Sequence, residues 1–280
     1  MILVFGKTGQ LATELAKDPD MHCLGRDAAD LADPAACAAL IAHTEATAIL
    51  NAAAYTAVDQ AETEPDLAHL INAEAPAAMA RAAAARGLPF VHVSTDYVFD
   101  GTGHTPWRED DPPAPATAYG KSKLAGEEGV RAAGGTYAIL RTAWVFSATG
   151  RNFLRTMLRL SDSHEALRVV DDQHGGPTPA AALARACAHV ARALTPATSG
   201  VYHYAGAPDT TWAGFATEIL TRAGKATQVT AIPSTEYPTP APRPLNSALD
   251  CRKIEAAFGL SRPDWRAAIP GILRQLENSA

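Results

Sequence analysis

The sequence predicts an α/β fold, a doubly wound parallel sheet joined to a smaller mixed module. Three observations lead there. Short apolar runs alternate with longer, alanine-rich, helix-like segments through the first half of the chain; a glycine-bearing turn follows the first of those runs; and the alternation fades after Arg141. Strands covered on both faces read as near-continuous apolar runs, and helical crossovers between them make the sheet parallel.

Taken in order, strands are expected at 2–6 (ILVFG), 22–25 (HCLG), 48–53 (AILNAA), 90–94 (FVHVS) and 137–142 (YAILRT). Helices are expected between them near 9–17, 34–44, 64–86 and 119–133. The alanine-rich stretches 73–85 and 180–193 suit closely packed helices, and two further helices are expected near 250–258 and 264–277. The proline-rich segments 107–117 and 232–244 cannot be helix interiors or central strands. Their length favours a site wall or lid. These breaks assign 1–143 with 176–204 to a dinucleotide-binding unit, and 144–175 with 205–280 to a substrate-binding module.

With 280 residues, 47% of them hydrophobic and 19% charged, the chain can bury a sizeable core. Net charge is -6 and no block of Lys or Arg stands out, which argues against nucleic acid or an anionic membrane as partner. The four cysteines (Cys23, Cys37, Cys187, Cys251) are scattered and read as reduced thiols. The opening apolar run is short, lacks a basic region before it, and reads as a strand rather than a signal peptide. No apolar run reaches membrane-spanning length. A cytoplasmic protein is expected.

Gly6-x-x-Gly9-x-x-Ala12 follows the first strand and opens a helix, a variant of the Rossmann-like dinucleotide turn. The first glycine turns the chain, the second lets backbone approach pyrophosphate, and a small third residue permits close packing. Gly6, Thr8, Gly9, Gln10 and Leu11 are therefore candidate cofactor contacts. After the second strand stands Gly25-Arg26 where an NAD site usually carries an acid. Arg26 can pair with a 2′-phosphate, which favours NADPH with NADH possible; the plainer reading is a solvated loop cation. Asp30, Leu31, Ala52, Ala53, Ala54 and Tyr55 would flank the adenine and pyrophosphate–ribose region, although Asn51 before them can simply end a strand.

Tyr119 and Lys123, four residues apart, share one face of a predicted helix. A phenol titrates near 10, and moving it to about 7 takes ~4 kcal/mol of selective phenolate stabilisation. A nearby ammonium, with the positive ring of an oxidised nicotinamide, supplies such a field. Ligands of open α/β sheets bind beyond the strands' carboxyl ends, where STDYVFDG (94–101) begins. Thr95 would hydrogen-bond a reacting carbonyl beside Tyr119, and Asp96 would hold a substrate hydroxyl or help position the tyrosine.

Glycine turn, strand-end Ser/Thr and Tyr-x-x-x-Lys together resemble the extended short-chain dehydrogenase/reductase superfamily, which works on nucleotide sugars. The ordered series FGKTGQLA, NAAAYTAVDQAE, STDYVFDGTG, YGKSKLAGE, RTAWVF, NFLRTMLRL, DDQHGGPT and YPTPAPRPLNSALD spans residues 5 to 250. It resembles the dTDP-4-dehydrorhamnose reductase family, which reduces the 4-keto group of dTDP-4-dehydro-L-rhamnose with NADPH or NADH. The resemblance implies Thr95, Tyr119 and Lys123 as catalytic positions with Asp96 adjacent. It implies substrate contacts at Val58, Asp59 and Trp144, and more weakly at Asn152, Gln173, Arg243 and Asn246. Trp144 could cover a hexose ring or simply be core, and Arg243 could pair with a diphosphate or face solvent. Sugar-nucleotide 4,6-dehydratases carry glutamate directly after the strand-end aspartate; Tyr97 stands there, so reduction is favoured over dehydration.

The nine histidines do not cluster at metal-ligand spacing, and His174 in DDQH (171–174) has acids beside it but no second His or Cys at zinc-like distance. Some members of the resembled family form dimers bridged by a metal through glutamates. Glu14 could be one such ligand, but the helix from 180 offers no acidic partner, so no metal is expected. A monomer or a homodimer fits equally. Two rivals stand beside the reductase: an enzyme for another 4-keto-6-deoxy nucleotide sugar, and a non-catalytic regulatory subunit of a methionine adenosyltransferase, to which the family is also similar.

Overall fold

The computed structural model describes residues 1–278. The first half alternates as the apolar runs require: β1 (Ile2–Phe5), α1 (Gln10–Leu15), β2 (Met21–Leu24), α2 (Pro34–His43), β3 (Ala48–Asn51), α3 (Val58–Ala61), α4 (Pro65–His69), α5 (Ala75–Ala85), β4 (Phe90–Thr95), α6 (Ala118–Ala132) and β5 (Tyr137–Thr142). The helix expected at 64–86 is interrupted by a π turn over Leu70–Glu74. Pro76 has no N–H to give the carbonyl of Asn72, so the helix widens there.

The second half contributes β6 (Val145–Phe146), α7 (Phe153–Ser161), β7 (Ala166–Val170), β8 (His174–Gly175), β9 (Thr178–Pro179), α8 (Ala180–Ala193), β10 (Gly200–His203), β11 (Thr210–Thr211), α9 (Trp212–Arg222), β12 (Gln228–Ile232), β13 (Asn246–Ser247), α10 (Arg252–Phe258) and α11 (Trp265–Glu277).

Six strands form one parallel sheet in the order β10-β5-β4-β3-β1-β2. Chain direction through the sheet reverses between β1 and β3, and such a switch point opens a crevice beyond the strand ends. Side chains alternate between the two faces. Ile2, Val4 and Leu50 join a core with residues of α1, α8 and α10, while Leu3, Phe5 and Ile49 join a second core with α2 and α5. The fold is thus the doubly wound, Rossmann-like one that the sequence predicts.

A third core gathers residues of β6, α7, β7, α9 and α11, centred on Phe146, Phe215 and Trp265. Around it lie a parallel pair, β12 with β7, and a small sheet ordered β11-β8-β13. One part of the expected second module goes elsewhere: Leu249, Cys251 and Ile254 belong to the first core, against α8 and β10. The apolar side of α10 finds its cover on the large sheet. No helix among the described residues is long and apolar enough to cross a membrane.

Candidate active site

A cavity of about 1460 Å³ runs from the turn after β1, past the carboxyl ends of β4 and β5, to the third core and the segment 234–244. The second proline-rich segment is thus a cavity wall, through Tyr237, Pro238 and Pro242 among others. The first one, 107–117, is not. Its Trp107 ring stacks on Phe99 with centroids 4.6 Å apart, Trp107 Nε1 donates to the Asn246 carbonyl, and Glu109 accepts from the His203 amide. Those contacts tie the segment to Phe99, to Asn246 and to His203 on β10, and none of its residues lines the cavity, correcting the expectation.

At one end, Gly6 has φ +123, and a Cβ there would sit 3.4 Å from both Ala12 Cβ and the Ala53 amide nitrogen. Gly9 faces open space, and no side chain caps α1. Thr8, Leu11, Arg26, Asp30 and Leu31 line the same end. Arg26 is largely exposed and pairs with Asp30 at 3.0 Å, while Asp30 also accepts the Ala32 amide. Both hydrogen bonds hold the Asp30 carboxyl below its ordinary range. Ala52, Ala53 and Ala54 line the cavity, but Tyr55 does not. Its hydroxyl donates to Glu64 at 2.7 Å and its amide to Asn72 at 2.8 Å, so the ring is anchored to the helix behind the loop.

In the middle, α6 starts where Thr117 accepts the Gly120 amide at 2.9 Å. This cap sets Tyr119 and Lys123 one turn apart beside the end of β4. The half-buried Tyr119 phenol lies close enough to Thr95 for the two hydroxyls to interact. Thr95 Oγ1 donates to Asp96 at 3.1 Å and accepts the Tyr97 amide, and Ser247 donates to the other Asp96 oxygen at 2.6 Å. Burial raises the Asp96 carboxyl to about 6 against those hydrogen bonds. Burial also raises Tyr119 well above its usual range, opposed by the Thr95 hydroxyl and reinforced by Asp96 and Tyr97.

Lys123 is fully buried, with Nζ 2.8 Å from the Val93 carbonyl and 3.2 Å from His92 Nε2. Burial lowers it to about 8, with Glu127 opposing. The expected lowering of the tyrosine by this lysine is therefore absent in the free protein: Lys123 spends its hydrogen bonds on β4.

At the far end, Asp59 and Arg243, both expected to meet substrate, meet each other at 2.6 Å. Arg243 also donates to the Tyr97 hydroxyl at 3.4 Å, and Asp59 accepts the Ala241 amide at 3.2 Å. Val58 lines the cavity beside them. Trp144, at a positive φ of 50, stacks on Trp212 with ring centroids 3.7 Å apart. Gln173 lines the cavity but bridges Trp212 Nε1 and the Ser234 hydroxyl. Asn152 caps α7 and donates to Gln10 Oε1 at 3.0 Å, while Gln10 Nε2 donates to the Val145 carbonyl. Gln10 and Asn152 thus tie the glycine turn to the second module.

Asn246 is the one substrate candidate placed outside the cavity lining. Its amide donates to the carbonyls of Thr102 and Thr105 and its oxygen accepts the Ala248 amide, so it braces the loop after Asp100. Glu14 lies on α1 and pairs with Lys17 at 2.7 Å. Sequence reasoning missed Ser247, Trp212 and Arg151.

The family model for the RmlD substrate binding domain matches residues 1–278. A dTDP-4-dehydrorhamnose reductase of Burkholderia thailandensis is 44% identical over 293 aligned positions, covering 98% of each chain. A crystal structure of a dTDP-4-dehydrorhamnose reductase from Clostridium acetobutylicum superposes with a TM-score of 0.92 at 35% identity, covering 99% of both chains. One from Bacillus anthracis, solved in complex with NADP, gives a TM-score of 0.92 at 31% identity over 98% of both chains.

Proposed function

The chain belongs to the dTDP-4-dehydrorhamnose reductase family, and from that premise we propose that it reduces the 4-keto group of dTDP-4-dehydro-L-rhamnose to give dTDP-L-rhamnose. NADPH is the cofactor, with NADH as a possible substitute. One observation carries the reading: the neighbouring hydroxyls of Thr95 and Tyr119 line the same cavity as the Gly6–Gly9 turn.

The residues present fit a dinucleotide. Gly6 leaves room that a side chain would fill, and the buried hydroxyls of Ser94 and Thr142, both on the cavity, have no partner among the described residues. When bound, the cofactor supplies a hydride. Gly6, Thr8, Gly9, Gln10 and Leu11 would hold its pyrophosphate, Arg26 a 2′-phosphate, and Lys123 the ribose hydroxyls.

As the substrate C4 accepts hydride, Tyr119 gives its proton to the carbonyl oxygen and Thr95 orients that oxygen. Asp96, neutral up to about pH 6 and held by Ser247, supports the Thr95 hydroxyl from behind. Tyr97 after Asp96 offers no carboxylate for removing water, which supports reduction as the whole reaction.

Well-placed proton donation contributes about 10²–10⁴ in rate. Tyr119→Phe is expected to lower kcat by about that factor while cofactor affinity stays near wild type. The assay follows consumption of reduced nicotinamide with the 4-keto sugar made in the cuvette. Near-normal turnover by the variant would remove Tyr119 from its role. Cofactor binding without turnover by the wild type would instead favour another 4-keto sugar or the regulatory reading.

A further inference from the structure

Under the cavity floor, the imidazole of His92 on β4 is wholly buried between two side chains. Asn51 Nδ2 lies 3.2 Å from its Nδ1, and Lys123 Nζ lies 3.2 Å from its Nε2. A neutral imidazole offers one N–H and one lone pair, so the two neighbours cannot both be donors. Asn51 has no freedom to turn over, because its Oδ1 already accepts the Ala53 amide at 3.1 Å. Its NH₂ group therefore faces the ring, and an amide NH₂ only donates.

It follows that Nδ1 accepts and the ring proton sits on Nε2, aimed at Lys123. An ammonium has no lone pair to receive it; a neutral amine has one. The amine keeps two N–H bonds, and one goes to the Val93 carbonyl at 2.8 Å. That carbonyl lies one residue past the point where β3 stops, since Asn51 pairs opposite His92. A doubly protonated ring would confront the Asn51 NH₂ with a second donor.

The other groups around Lys123 do not reverse this. Glu127, one turn on in α6, is already held by Arg141 through both carboxylate oxygens. Tyr119, one turn back, is uncharged, and Asp96 is bound by Thr95 and Ser247. Burial keeps His92 itself far below its ordinary range.

We propose that His92, with its tautomer fixed by Asn51, is a positioning residue that stabilises the neutral form of Lys123, holding that amine against the Val93 carbonyl in the cofactor-free protein. Below its midpoint Lys123 takes up a proton and leaves His92, and only then can it act as a cation on the nicotinamide ribose or on Tyr119. That consequence rests on the reductase reading; the parked state does not, and it is measured on the free protein.

The test is NMR of the full chain without cofactor, with ¹⁵N-labelled histidine and ¹³Cε-labelled lysine. His92 is expected to show the Nε2–H pattern above the Lys123 midpoint, and Lys123 to titrate near 8 rather than at the ordinary ~10.4. Asn51→Leu releases the lock, lets Nε2 accept, and should raise the Lys123 midpoint by about one unit or more. A wild-type proton on Nδ1, an ordinary Lys123 midpoint, or an Asn51→Leu variant with that midpoint unmoved would each overturn the proposal. Should the variant fail to fold, the two wild-type readings decide alone. Loss of the reductase reading in a turnover assay would leave these resonances untouched.

Discussion

Thr95 and Asp96 are consecutive residues with opposite electrostatic fortunes. The hydroxyl gains the Asp96 carboxyl and the Tyr97 amide as partners, whereas the carboxylate is taken from water and given only two hydroxyls and backbone in exchange. The native carboxyl keeps its proton to about pH 6, and the unfolded one loses it near 3.9. As pH rises through that window the unfolded state ionises first, so stability falls, by up to about 3 kcal/mol above pH 6. Asp96→Asn should therefore be the more stable protein near neutral pH, with the advantage shrinking towards pH 4. Urea unfolding at the two pH values checks this, and a variant that is weaker at neutral pH would show that the site answers the charge. Asp96 itself was legible, because it stands in a strand-end motif. Ser247, its partner 151 residues later, lay inside the quoted segment 237–250 but was given no role, because a lone serine in a two-residue strand has no periodicity of its own.

Elements explain which parts of the chain announced themselves. β1, β3, β4 and β5 are buried on both faces and flanked by turn residues, so their apolar runs were readable. The strands β6, β8, β9, β11 and β13 are two residues long and too short for any periodicity. The π turn before α5 was hidden inside a helical pattern, yet it matters for α6. A Cβ on Gly126 would lie 2.1 Å from the Asn72 carbonyl oxygen in that turn. Alanine gains about 1 kcal/mol over glycine in a helix interior, but overpacking against backbone costs typically 1–3. Gly126→Ala should thus be destabilised by about 1–2 kcal/mol, read from the urea midpoint at unchanged slope. An unchanged or higher midpoint would mean α6 can slide, carrying Tyr119 and Lys123 with it.

For the whole molecule, the cavity is a seam between two cores, closed on one side by the strap 237–244. The strap is fastened by the Arg243–Asp59 pair and by the Ala241 amide on the same carboxylate. Asp59→Asn weakens both attachments, so amide exchange at 237–244 should speed up several-fold while the β1–β5 sheet stays protected. Equal protection in variant and wild type would mean that the prolines alone hold the strap. Across the seam from it, Trp144 and Trp212 lie 14° from parallel, two of the chain's four tryptophans. Indoles that close couple their electronic transitions, giving a paired near-ultraviolet dichroism band and a quenched emission. Because both rings line the cavity, the protein carries its own optical gauge of occupancy, one that needs neither a label nor a chemical step to report a sugar nucleotide arriving.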